Sequence, residues 1–345
     1  MKSKKLSETI IKTFKNNGFV LSEPDVLLDS DHIIERSGEK FRSSMLTFER
    51  EDGKMMCLRP DLTVASCINF LRKKSSSKIY YSGQAYRRSS GKGTNFINNQ
   101  LGIEILGSKN QIQDDFKVIS TILNSAKKIK RKKIKIKVGD ISLFKYLINA
   151  LNMPERWKLR LLRHYWRPSY FEELLKRLEQ NTDIDAVTFD ADKKRFYEMK
   201  KINQNKVIAG RSISEILKRF DKKIKDPRSF TDGKKIVKII KSFLKINCKL
   251  SELDKKLQDF AKKNNLKKNI FKEFKSIKNL KKLNQKVKFI TNFGRDIEYY
   301  TGIVFGIFSG TKEIARGGRY DDLLKSLGAK KNIPAVGAAI NLNNI

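Results

Sequence analysis

Segments with strand character crowd the two ends of this 345-residue chain and leave a long helical stretch between them. A sheet built from both ends must close around that stretch, which makes the middle an insertion. Leu6, Ile10, Ile11 and Phe14 recur at helical spacing and predict an amphipathic helix over about the first seventeen residues, stopped at Asn16-Asn17-Gly18. GFVLSEPDVLLDSD is then extended through Pro24, and residues 45–48 and 55–58 read as a hairpin turning at EDG. A helix follows Asp61. Residues 78–87 and 103–106 are expected to be strands, joined by the polar loop RSSGKGTNFINN. After a helix over 114–128, IKIKV alternates at period two, the mark of a strand with one wet face. From about Ile141 to Lys286 the pattern is helical. Strand character returns at 287–291 and 301–308, GGRYDDLL begins a helix, and PAVGAAINL closes on a strand. The pattern predicts an α+β fold: a mainly antiparallel sheet flanked by helices, with a helical insertion. The expected boundaries are a core of 1–140 and 285–345 around an insertion of 141–284.

Charge is the second constraint. Seventy-five Lys and Arg against 37 acids give a formal charge of +38, while 39% hydrophobic and 10% aromatic residues suffice for a core. Such an excess fits phosphate neutralisation on a nucleic acid. It equally fits a composition in which lysine fills every tolerant surface position. The lysines spread from Lys2 to Lys331 rather than gathering in one tail, and the alternation of IKIKV accounts for the run KKIKRKKIKIK. The second reading is preferred, so no nucleic-acid partner is expected. Cys57, Cys67 and Cys248 stand at no metal-like spacing and only His32 and His164 could help, so neither a metal nor a cofactor is expected. No segment has the length and apolarity of a membrane span, and a cytoplasmic protein is expected.

Several polar groups fall on or beside the expected strands. LRPDLT carries Arg59, Asp61 and Thr63; AYRRSS carries Arg87 and Arg88; QLGIEILG carries Gln100 and Glu104. If Ile103 and Ile105 face one side of their strand, Gln100, Gly102 and Glu104 share the other. A carboxylate buried there needs a cation or a polar ligand. The alternative is a strand facing water. GRDIEYYTGIVF adds Arg295, Glu298, Tyr299 and Tyr300, and alternation would send the two tyrosines to opposite faces. In RGGRYD, Gly317-Gly318 would allow a tight turn and close backbone approach, with Arg319 and Tyr320 opening a helix.

Taken in order, LRPDLT, YRR…NNQLGIEILG, GRDIEYYTGIVF and ARGGRYDDLL…IPAVGAAINL resemble the catalytic core of histidyl-tRNA synthetases, a class II aminoacyl-tRNA synthetase fold. GFVLSEPDVL looks like the first class II signature, which in that family builds the dimer interface. The resemblance implies a histidine pocket. Asp61, Thr63 and Gln100 would hold the α-amino group, with Asp61 standing where the family usually has glutamate. Glu104, Tyr300 and Tyr320 would contact the imidazole, with Tyr299 beside them. Arg295 would face the carboxylate side, and Arg87 corresponds to the arginine of the second signature.

Three departures qualify the resemblance. The second signature reads Arg87-Arg88-Ser89 and lacks the acid that addresses the ATP base. The last one ends Asn341-Leu342-Asn343-Asn344, where the synthetases carry an arginine that clamps phosphate. No C-terminal anticodon-binding domain is expected. A histidine pocket kept without the means of activation resembles the ATP phosphoribosyltransferase regulatory subunit family, as does HYWRPSYFEELLKRL in the insertion. That resemblance implies a non-catalytic subunit with histidine as effector, a short-form catalytic partner in a hetero-oligomer, and a homodimer within the complex. The alternatives are a truncated active synthetase and a synthetase-like tRNA-binding protein.

Overall fold

The structure, a computed structural model, describes residues 2–34, 43–73, 77–88, 96–129, 134–181, 186–202, 207–208, 211–226, 230–271, 277–283 and 286–345. Ser89, most of the loop after it and the centre of the basic run at 130–133 lie outside the described residues. The chain divides into two compact units, Met1–Leu143 with Lys245–Phe260 and Phe271–Ile345, and Phe144–Leu244 with Ala261–Ile270.

The first unit is built on a nine-stranded sheet whose strands come from both ends of the chain. Its strands are β1 (Val20–Leu21), β5 (Lys78–Tyr86), β6 (Ile97–Leu106), β7 (Ile134–Asp140), β10 (Asn247–Lys249), β11 (Val287–Ile290), β12 (Ile303–Ser309), β13 (Lys312–Arg319) and β14 (Ala335–Asn341). They lie in the order β1-β5-β6-β14-β13-β12-β7-β11-β10. The pairings are antiparallel except β1 with β5 and β11 with β7. A small sheet of β2 (Leu27–Asp29), β4 (Met55–Leu58) and β3 (Thr47–Glu49) accompanies it.

Register sorts the side chains onto two faces. One row runs Tyr80, Ile103, Ala338, Gly317, Phe305 and Val138 across neighbouring strands. This face is covered by the Lys2–Asn16 and Gln111–Ile129 helices, with the Phe14 ring 6.1 Å from that of Tyr80. The opposite face carries Ile79, Glu104, Gly337, Gly318, Val304 and Gly139 in one row, and Tyr81, Gly102, Ala339, Arg316, Gly306 and Lys137 in the next. Val64, Ala65, Cys67 and Ile68 of the Leu62–Lys73 helix pack on this second face.

Four expectations need correction. GGR does not turn: Gly317, Gly318 and Arg319 are the end of β13, and a Cβ on Gly317 would lie 2.2 Å from that of Ala338. Close approach between strands is the reason for the pair. Residues 291–300 are turns and not a strand, so alternation does not separate Tyr299 from Tyr300. The stretch 141–286 is not helical throughout. It contains β10, which extends the large sheet, and the hairpin of β8 (Val207–Ile208) and β9 (Arg211–Ser212). The strand expected at 103–106 begins at Ile97, because its polar half pairs with β5 and is only partly covered.

Among the described residues, the second unit is helical apart from that hairpin. Its core gathers Phe144, Trp157, Tyr165 and Phe171, with the Phe144 and Tyr165 rings stacked at 3.9 Å. Tyr165 and Phe171 of HYWRPSYF therefore serve this core, and Ser212 opens the Ile213–Lys225 helix with a capping box closed by Glu215.

Arg319 fastens the helix-covered face of the large sheet. Its guanidinium reaches Asp115 of the Gln111–Ile129 helix at 2.6 Å and Asp321 at 2.8 Å, with Arg319 3% exposed and Asp115 fully buried. Removing one member of a dry pair strands the other charge. Arg319→Met is expected to cost about 3–5 kcal/mol in chemical denaturation, and Arg319→Met with Asp115→Leu to recover most of it.

Candidate functional site

The second face of the sheet holds a buried carboxylate at its centre. Glu104 is completely inaccessible, and its three hydrogen-bond donors among the described residues are hydroxyls. Thr63 Oγ1 donates to Oε1 at 2.7 Å, Tyr81 OH donates to the same oxygen at 3.2 Å, and Tyr320 OH donates to Oε2. The space for this carboxylate exists because β14 offers Gly337 opposite. A Cβ there would sit 1.3 Å from Oε2, an impossible overlap. Thr63 is delivered by the first turn of the Leu62–Lys73 helix, Tyr81 by β5 and Tyr320 by the residue following β13.

Burial raises Glu104 to about 7, with the hydroxyls of Tyr320 and Thr63 pulling the other way and the Asp61 charge adding to the rise. The surrounding groups are held neutral. Burial lifts the Tyr81, Tyr299 and Tyr320 hydroxyls and the Cys67 thiol well above their ordinary ranges, with Glu104 or Asp61 adding to each.

Asp61 is the second acid. Its Oδ1 accepts from Thr63 N at 2.7 Å and caps the Leu62–Lys73 helix, while Oδ2 accepts from Arg87 Nη2 at 2.8 Å. Arg87 also donates from Nε to the Pro60 carbonyl, so its fork is anchored beside the helix start. Arg59 does not join the site: it donates to the carbonyls of Gln84 at 2.8 Å and Pro24 at 2.6 Å. Gln100 lies half-buried on the Glu104 face, opposite Gly83 and Asn341.

Residues 291–300 form a strap across this face. Gly294, at φ +80°, packs against Val304 so closely that a Cβ would lie 2.3 Å from its Cγ1. The Phe293 ring sits over Gly306 and the Tyr300 ring over Gly318, 2.8 and 2.9 Å from where their Cβ atoms would be. Tyr299 meets Tyr300 and Tyr320 edge to face at 5.0 and 5.8 Å. Arg295 is buried in the strap, and Glu298 is exposed.

The structure thus joins Thr63, Glu104 and Tyr320 in one hydrogen-bonded cluster and Asp61 with Arg87 in a second beside it. Tyr299 and Tyr300 wall the first. Sequence reasoning missed Tyr81, although the glycine at 102 carries a signal: a Cβ there would strike the Tyr81 ring at 2.3 Å. It also missed Arg316, which ties the strap to β13 through both oxygens of Asp296 at 2.9 Å and holds Glu313 at 2.7 Å. At the chain's last signature, Asn344 donates to the Glu313 carbonyl at 2.7 Å and Asn343 accepts from Asn99. Among the described residues, no group of His, Cys, Asp and Glu could hold a metal ion, and no helix is long and apolar enough to cross a membrane.

The mainly antiparallel sheet flanked by helices is the fold of histidyl-tRNA synthetase-like proteins. The solved histidyl-tRNA synthetase from Nostoc sp. PCC 7120 matches with a TM-score of 0.63 at 16% identity, covering 99% of this chain and 70% of that one. A Bacillus halodurans structure titled ATP phosphoribosyltransferase regulatory subunit/histidyl-tRNA synthetase matches at 0.61 and 15%, covering 99% and 77%. The family model described as histidyl-tRNA synthetase spans residues 1–345, and the chain belongs to that family. Among curated relatives, proteins named ATP phosphoribosyltransferase regulatory subunit align over nearly the whole chain. The one from Mesorhizobium japonicum is 27% identical over 99% of this chain and 96% of its own length, and that from Brucella anthropi 28% over 94% and 92%.

The raised Glu104 carboxyl has a stability consequence. Between its ordinary value of 4.5 and about 7 the folded chain holds a proton that the unfolded chain has lost. Its contribution is therefore complete at acid pH and disappears as pH rises through 7. Glu104→Gln cannot ionise, so its stability relative to the parent should improve by roughly 2–3 kcal/mol between pH 4 and pH 8. Thermal melts of both proteins across that range read the difference.

Proposed function

We propose that this chain is the regulatory subunit of an ATP phosphoribosyltransferase, that it does no chemistry itself, and that the Glu104 pocket detects histidine. Its partner is a short-form catalytic subunit in a hetero-oligomer, with a homodimer of this chain inside the complex, in the cytoplasm. The complex joins ATP to phosphoribosyl pyrophosphate, giving phosphoribosyl-ATP and pyrophosphate, the first step of histidine biosynthesis. Histidine in the pocket transmits feedback inhibition to the partner.

The observation that carries this reading is the uneven equipment of one sheet face. Glu104 and the three hydroxyls bonded to it form a buried polar cluster, which supports the reading of a site for a small polar ligand. Asn344, bound to the Glu313 carbonyl, takes the place that the resemblance gives to a synthetase's phosphate-clamping arginine, which supports a site without the means of activation. The naming of relatives along almost the full length supports the same choice.

Free histidine has an ammonium, a carboxylate and a ring with two distinct nitrogens. Asp61, Thr63 and Gln100 are assigned to the ammonium, Arg295 and Arg87 to the carboxylate side, and Glu104, Tyr299, Tyr300 and Tyr320 to the ring. The coupling between histidine and the partner is reciprocal, typically about 1–3 kcal/mol.

Calorimetric titration with histidine, with and without the catalytic partner, tests the proposal. Binding is expected, together with no pyrophosphate exchange into ATP. Gln100→Ala should weaken histidine binding about tenfold, the loss of one hydrogen bond to a charged group. Absence of binding in both states, or formation of histidyl-adenylate, would overturn it.

A further inference from the structure

The two carboxylates of the pocket are provided for differently. Asp61 faces the Arg87 guanidinium at 2.8 Å, whereas the groups bonded to Glu104 are three hydroxyls. The titratable groups around Glu104 are Tyr81 from β5, Tyr320 after β13, Cys67 and Asp61 from the Leu62–Lys73 helix and its cap, and Tyr299 and Tyr300 from the strap. β14 contributes only Gly337. None of these is a cation; Arg87 stands one step further out, against Asp61 and Tyr299, and Arg316 against Tyr300. The tyrosines and the thiol stay neutral at every physiological pH, because burial lifts each of them.

A hydroxyl both donates and accepts, so this shell serves an ionised carboxylate and a neutral carboxyl alike. Burial brings Glu104 to about 7 in the empty protein, and an imidazole in water titrates near 6.5. When a ring enters this dry site, four charge combinations are conceivable. A lone carboxylate beside a neutral ring and a lone imidazolium beside a neutral carboxyl each leave one uncompensated charge out of water. The two combinations holding a single proton, on the carboxyl or on the ring, have no net charge.

Building on the histidine reading, we propose that the pocket binds histidine together with one proton held between the Glu104 carboxyl and the ligand ring, so that binding takes up a proton in alkali and releases one in acid. Direct contact and contact through the Tyr320 hydroxyl give the same balance. Above neutrality the empty site and the free ring are both unprotonated, and the proton comes from solvent. Below pH 6 both carry protons, and one returns to solvent.

The test is calorimetric titration of the full chain with histidine in buffers of different ionisation enthalpy, at pH 5.5 and pH 8. Uptake of about one proton is expected at pH 8 and release of about one at pH 5.5, with affinity roughly fivefold lower at pH 8 than near neutrality. 1,2,4-Triazole-3-alanine, similar in shape with a far less basic ring, should keep the uptake at pH 8 and lose the release at pH 5.5. Protons from the α-amino group are common to both ligands and cancel in the comparison. Glu104→Gln should lose the uptake at pH 8. Histidine binding with no net proton change at pH 8 would overturn this inference and leave histidine recognition standing. No binding at either pH would overturn both.

Discussion

A carboxylate shut away from water at Glu104 sets terms for everything around it. Its second oxygen lies where a Cβ of residue 337 would be, so β14 must supply glycine at that register. The desolvated oxygens then need donors from three directions, and the fold provides them from parts of the chain far apart in sequence. Thr63 comes from a helix start, Tyr81 from β5 and Tyr320 from the exit of β13, 216 residues beyond Glu104. Tyr320 joins Thr63, Tyr81 and Glu104 only when the sheet has assembled from both ends. The site is therefore a product of the global topology and not of any one motif.

The same topology depends on a second dry contact on the opposite face. Arg319, one residue before Tyr320, turns away from Glu104 and pairs with Asp115 beneath the long helix. Successive residues thus serve opposite faces: one locks the helix to the sheet, the next completes the carboxylate shell. A shift of β13 by one residue would break both together. The glycines before Arg319 let β13 lie close to its neighbours and leave room for the strap.

Much of this was legible before any coordinates. The α+β plan followed from strands at both ends, and the shared face of Gln100, Gly102 and Glu104 followed from alternation. Asp61, Thr63, Glu104 and Tyr320 could be picked out by motif order. What escaped were features decided by tertiary neighbours. The turns of 291–300 carry apolar and aromatic residues that mimic a strand, and only their packing over Val304, Gly306 and Gly318 makes them a strap. β10 is three residues long with Lys249 at one end, too short for a period to be seen inside a helical stretch. Tyr81 reads as one more aromatic in a strand until Gly102 is placed beside it. Arg316 was hidden by the more familiar arginine three residues later.

The hydroxyl shell of Glu104 also determines how the site can respond. A carboxylate locked to an arginine can change charge only if a heavy group swings away. Three O–H bonds need only rotate, since each oxygen can accept where it previously donated. The cluster behaves like a few water molecules kept in fixed positions but free to reorient. A change of charge at the centre of the sheet can thus be absorbed by hydrogen atoms, while Gly337, the strap and the strands around them keep their places. Beside this adaptable cluster the Asp61–Arg87 ion pair, at 2.8 Å, is the contact whose rearrangement would require heavy atoms to move.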